Sequence, residues 1–126
     1  MDRILLVDDN PLRAAMRLSV LEGSGPKVMR ALDPAEALCM VENSEFTQGL
    51  ALVISGHLMS GISGPEFAAE FRSRLPHVPV LVLSSTKGVA DEYADLPGVY
   101  YSETKSPDEL RGLVKRLTTA QEMRTA

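Results

Sequence analysis

The stretch Ile4-Leu5-Leu6-Val7-Asp8-Asp9-Asn10-Pro11 decides the fold. Four branched apolar residues without a polar break suit a strand buried on both faces. The acids end that strand, and Asn10 with Pro11 supplies a cap and a first helical position. Leu12, Ala15, Met16 and Val20 then predict the apolar face of a helix that stops at Gly23.

The same alternation recurs along the chain. Residues 50–54, 80–83 and 98–101 read as further strands, and 27–32 as a shorter one with a polar edge. Asp33-Pro34-Ala35-Glu36 forms a capping box ahead of Leu38 and Cys39. Gly64-Pro65-Glu66 introduces Phe67, Phe71 and Leu75, spaced by four until Pro76 stops the run. Ser106-Pro107-Asp108-Glu109 opens a stripe of Leu110, Leu113, Val114 and Leu117. A fourth helix is expected within 87–96, resting on Val89, Tyr93 and Leu96 alone. Five strands alternating with crossover helices predict an α/β fold, a doubly wound parallel sheet in the order 2-1-3-4-5 with helices on both faces. Its crevice lies outside the carboxyl ends of strands one and three.

A chain of 126 residues predicts one domain, 1–120. Residues 121–126 are expected to form a C-terminal tail, fraying from Thr118 or leading toward an output domain. Apolar residues at 44% and charged ones at 24% exclude a disordered, collagenous or disulfide-stapled chain. A net charge of -4 argues against nucleic-acid binding by this domain, which phosphate neutralisation would drive. A single cysteine, Cys39, builds no internal bridge and suits a reducing compartment. The first apolar run is too short for a signal peptide or a membrane span, so the expectation is a cytoplasmic protein with no membrane association.

At the predicted crevice stand Asp8 and Asp9, an acid pair that needs a cation beside it. Strand three ends in Ile54-Ser55-Gly56-His57, strand four in Ser84-Ser85-Thr86, and strand five runs toward Lys105. Together with Leu5-Leu6-Val7-Asp8-Asp9-Asn10, Met59 with Gly61 and Ser63-Gly64, and Pro79-Val80-Leu81-Val82-Leu83-Ser84-Ser85, these ends give the chain a marked likeness. It resembles the receiver domain of two-component response regulators, from Arg3 to about Leu117. The resemblance implies a flavodoxin-like fold and a role in phosphorelay signalling. It also implies that Asp8 and Asp9 help hold Mg²⁺, that an aspartate at position 56 accepts the phosphoryl group, and that Ser84 and Lys105 contact the phosphate.

Position 56 is Gly56, which offers neither an oxygen nucleophile nor a metal-binding carboxylate, so the acceptor position is degenerate. Strand alternation turns Ser55 and His57 away from the crevice. Ser60 and Ser106 stand where the family usually has proline, and Ser102 where it has an aromatic. Because Ser106 follows Lys105, a cis bond there is not expected. The acid pocket reads as vestigial, with no cofactor required and Mg²⁺ bound weakly at Asp8 and Asp9 at most. The Lys105 ammonium is expected instead to approach Asp9 and neutralise the pair.

Other chemistry-bearing residues take structural roles. His57 and His77 lack metal-ligand spacing, and Cys39 is expected to pack in the core. Gly23-Ser24-Gly25 and Gly61-Ile62-Ser63-Gly64 read as turns rather than phosphate loops. Two functions follow. The first is an atypical, non-enzymatic receiver that acts by protein contact without phosphorylation. Its partner is a second copy or another protein, such as a histidine kinase or output domain, and its surface lies within 87–117 with Tyr100 and Tyr101. The alternative is a receiver that accepts phosphate on Ser55, Ser84 or another side chain, with Mg²⁺ on the acid pair. A flavin site is excluded, since acids stand where a phosphate would sit.

Overall fold

The computed structural model describes residues 3–22, 27–59, 61–84, 86–103 and 106–125. Lys105, Ser60, Ser85 and the turn at 23–25 lie outside the described residues. Strands β1 (Arg3–Val7), β2 (Lys27–Ala31), β3 (Leu50–Gly56), β4 (Val80–Leu83) and β5 (Val99–Ser102) form one sheet. Helices α1 (Pro11–Leu21), α2 (Pro34–Met40), α3 (Ser44–Gln48), α4 (Gly64–Arg74) and α5 (Pro107–Thr125) connect them, with a 3-10 turn at Ala90–Tyr93. The sheet order is β2-β1-β3-β4-β5, every pair parallel, as the strand pattern predicts. Val7 lies opposite Ser55, and Gly56 opposite Leu83, which itself faces Ser102. One step beyond Val7, Asp8 therefore stands level with Gly56 at the carboxyl edge.

Side-chain alternation divides the core between the two faces of the sheet. Leu5, Val7, Val53, Val80 and Val82 join Phe67 and Phe71 of α4 on one face. Ile4, Leu6, Leu52, Ile54 and Leu81 join Leu110 and Val114 of α5 on the other. The helices begin where the caps predict. Asn10 Oδ1 accepts from Arg13 N at 3.0 Å, and Asp33 Oδ1 accepts from Glu36 N at 2.8 Å. Ser63 Oγ accepts from Glu66 N at 3.2 Å. Gly64 is favoured for a steric reason, because a Cβ there would run into the Tyr93 hydroxyl and stand 3.0 Å from the His57 carbonyl oxygen.

Several sequence expectations are corrected. The helix expected within 87–96 is only the 3-10 turn, whose one buried side chain, Tyr93, gives too little apolar surface for a longer helix. The added α3 is capped by Asn43, which accepts from Glu45 N at 2.9 Å, and buries Phe46. Helix α1 packs through Ala14, Leu18 and Leu21, while Leu12 and Met16 are 74% and 63% exposed. The small Ala14 lets the helix lie close to the sheet. The rotation carries Arg13 and Arg17 toward the carboxyl edge. Helix α2 buries Pro34 and Ala37, which leaves Cys39, two positions from Ala37, exposed on the opposite side. Helix α5 continues through the expected fraying point to Thr125, with Thr118 buried and its Oγ1 donating to the Val114 carbonyl at 2.8 Å.

Candidate functional site

Asp8 is fully buried, and its carboxylate is enclosed by donors. Arg13 Nε donates to both carboxylate oxygens at 3.1 and 3.0 Å, and its Nη2 donates to Oδ1 at 2.8 Å. Arg17 Nη1 donates to Oδ2 at 3.0 Å, and the Asn10 backbone N–H to Oδ1 at 3.0 Å. The Asp8 carbonyl in turn accepts from Arg30 Nε and Nη2 at 3.3 and 2.9 Å. Asp9 is partly exposed and lies 3.5 Å from Arg13 Nη2. A buried charge survives only when paired and hydrogen-bonded, and here α1 carries the pairing cations while Arg30 of β2 holds the carbonyl. The hydrogen bond to Asp8 raises the Arg13 guanidinium pKa above its ordinary value, whereas burial lowers that of Arg17. Guanidinium stays charged throughout.

Lys105, expected to approach Asp9, lies outside the described residues; among those residues Asp8 is met by Arg13 and Arg17, which the sequence analysis does not single out. A signal was present: Arg13 and Arg17, four apart on the helix that follows Asp8, share a face. Arg30 lies on β2 opposite Leu6, two residues before Asp8. Its reach across the edge strand left no periodic trace.

Gly56 ends β3 beside this cluster. A Cβ placed there would lie 3.7 Å from Arg13 Nη2, 3.7 Å from Met59 Cγ and 3.9 Å from the Leu58 carbonyl oxygen, all ordinary contacts. The backbone does not require glycine, and the space beyond it borders on a guanidinium. Mg²⁺ at one or two carboxylates with water suits an open acid pair. The donor set here does not fit that ion: both Asp8 oxygens already accept from arginine, Gly56 adds no carboxylate, and two guanidinium charges would repel the metal. Among the described residues no group of three His, Cys, Asp or Glu side chains is placed to hold a metal ion.

Outside the arginines lies a cleft of about 330 Å³ between α1, the loop after β3, the end of β4 and the start of α5. Ser84 lines it, and its Oγ accepts from Thr86 N at 2.9 Å. Ser55 is buried outside the cleft, as alternation predicts, and its Oγ has no hydrogen-bond partner among the described residues. His57 does line the cleft, contrary to that prediction, because the strand has ended and the chain has begun to turn. Its Nδ1 is hydrogen-bonded to the Tyr93 hydroxyl. Tyr93 stacks on Tyr101 with ring centroids 5.4 Å apart, and the Tyr101 hydroxyl donates to the Thr86 carbonyl at 2.8 Å. Burial, with Glu92 adding to it, pushes the Tyr93 phenol above its ordinary pKa.

A family model described as the response regulator receiver domain matches residues 4–96. The chain belongs to the response-regulator receiver family. It is thus a receiver domain of two-component signalling. Transcriptional regulatory protein TcrA of Mycobacterium tuberculosis is 30% identical over 115 residues, 91% of this chain and 44% of that protein. Response regulator protein FleR of Pseudomonas aeruginosa is 38% identical over 84 residues, 66% of this chain and 17% of that protein. The receiver chain therefore spans less than half the length of these curated relatives. Among solved structures, response regulator protein TrrA of Thermotoga maritima, in complex with Mg(2+)-BeF, superposes with a TM-score of 0.76 at 30% identity, covering 93% of this chain and 99% of that one. A receiver domain from Clostridium thermocellum reaches 0.84 at 22% identity with 98% of each chain covered, a likeness of fold. In this receiver, Asp8, Gly56 and Ser84 meet at one carboxyl edge, while Tyr100 is 40% exposed on β5 and Tyr101 is tied inward. No helix among the described residues is long and apolar enough to cross a membrane.

Proposed function

We propose that this receiver domain signals through protein contact without accepting phosphate at the end of β3. The single observation that carries the reading is that Gly56 stands at the acceptor position with Arg13 Nη2 beside it, 3.7 Å from where a side chain would begin. Acyl-phosphate formation needs a carboxylate, and glycine has none. The arginine pair on Asp8 takes the place that a divalent ion would hold in a phosphorylated receiver. The domain is then non-enzymatic, uses no cofactor and works in the cytoplasm. Its partner is a second copy or another protein, a kinase or an output domain among them, met over residues 87–117, where exposed Tyr100 supplies an aromatic anchor. Ser84 and Lys105 remain as phosphate-contact equivalents with no phosphoryl group to receive.

Incubation with acetyl phosphate and Mg²⁺ followed by intact mass spectrometry tests the reading. The mass is expected to stay that of the unmodified chain. A phosphoryl adduct on any residue of the cleft overturns it and favours a non-standard acceptor.

A further inference from the structure

The cleft outside Asp8 has a charge that the acid pair does not predict. Its described lining contains Arg13 and Arg17 and no carboxylate. Asp8 lies behind the two guanidiniums, so the wall presented to solvent is cationic. Asp8 and Asp9 are paired with Arg13 and Arg17, while a third guanidinium, Arg30, closes on the Asp8 carbonyl behind the cleft lining. Donor capacity is left over as well. Arg17 uses only Nη1 on Asp8, which leaves its Nε and Nη2 hydrogens without a protein acceptor among the described residues. The remaining wall is apolar: Met16 and Leu58 stand 63% and 68% exposed, and Leu110 closes the floor. Large apolar side chains held open to water beside cationic donors that face solvent match an amphipathic anion, its head on the arginines and its body along the apolar wall. A volume of about 330 Å³ is at the lower end of small-molecule sites.

We propose that the cleft is a binding site for a small organic anion, a carboxylate, sulfonate or phosphate carried on a compact apolar body. The binding is non-covalent and needs no metal. The proposal rests on the reading that arginines, rather than a divalent ion, hold the pocket, but its test is separate from the phosphorylation test. A phosphoryl adduct would sink that reading, whereas failure of binding with an unlabelled chain would sink only this site.

The probe is anilinonaphthalene sulfonate, titrated into the folded chain and followed by fluorescence, with octanoate and octanol as competitors. Saturable one-to-one binding is expected, displaced by octanoate and far less by octanol. Met16→Glu, an exposed substitution that leaves the core untouched, should weaken the probe by roughly tenfold, the effect of one like charge at a half-solvated rim. Met16→Gln, which removes apolar contact but adds no charge, should weaken it far less. Absence of saturation overturns the proposal. So does equal displacement by octanol, which would mean an apolar patch without anion recognition, or by inorganic phosphate, which would mean a bare anion site. Equal behaviour of the two Met16 variants would place the probe elsewhere and overturn it too.

Discussion

Replacing Asp8 with asparagine sets the arginine cluster against the ordinary logic of an acid pocket. In a pocket of clustered carboxylates awaiting a metal, removing one acid relieves repulsion and raises stability in metal-free buffer. Here the acid is the counter-charge. Asp8→Asn leaves Arg17, whose side chain is 15% exposed, and the half-exposed Arg13 facing each other with no buried anion between them. Removing one partner of a buried ion pair costs about 3–5 kcal/mol, and the asparagine carbonyl, still able to accept one hydrogen bond, places the expected loss at about 3 kcal/mol. For a chain of this length that corresponds to a fall in Tm of roughly 10–15 °C. Thermal unfolding followed by circular dichroism, in chelator and again in millimolar Mg²⁺, measures it. The drop should be the same in both buffers. An unchanged or raised Tm for Asp8→Asn in chelator would refute the argument, since it would mean that the carboxylate repels more than the guanidiniums attract.

Three further outcomes follow from the same geometry. Gly56→Asp should fold, because a Cβ at that position makes only ordinary contacts, and intact mass after acetyl phosphate should show no adduct unless Arg13 is also replaced by methionine. Gly64→Ala drives a methyl group into the Tyr93 hydroxyl and the His57 carbonyl, and should cost about 1–3 kcal/mol by urea denaturation, the range of overpacked sites. Because burial raises the Tyr93 pKa, the unfolded chain loses that proton first. Its contribution is therefore complete below the free phenol value of about 10 and is lost as pH rises toward the folded value. Alkaline unfolding should accordingly be less steep in Tyr93→Phe than in the parent when followed by fluorescence or circular dichroism.

Much of the architecture is written in local pattern. Unbroken apolar runs at 4–7, 50–54 and 80–83 dictate strands buried on both faces, and Asn10, Asp33 and Ser63 cap the helices that join them. The candidate site was legible as positions: Asp8, Gly56 and Ser84 are strand-end residues, and parallel topology gathers strand ends. What answers Asp8 was harder to read. Arg13 and Arg17 look like solvated helix charges until the rotation of α1 is known, and that rotation is set by Ala14 and Leu18 against the sheet, a tertiary contact. The apolar stripe through Leu12 and Met16 misleads for the same reason, since two interleaved stripes compete and packing chooses between them. Cys39 and the Tyr93–Tyr101 stack likewise depend on which face meets the sheet. The short turn at Ala90–Tyr93 fails as a helix for want of apolar surface, which the sparse sequence there already suggested.

A divalent ion is borrowed from the solvent, and its occupancy rises and falls with supply. The guanidiniums of Arg13 and Arg17 are tethered to the backbone a few residues from the carboxylate they serve, and they hold their proton far above neutral pH. No chelator strips them and no mild change of acidity discharges them. The arginine wall of the cavity therefore keeps one electrical setting from the moment the chain folds, and a switch acting through that wall has to arrive from outside, with whatever comes to rest against it.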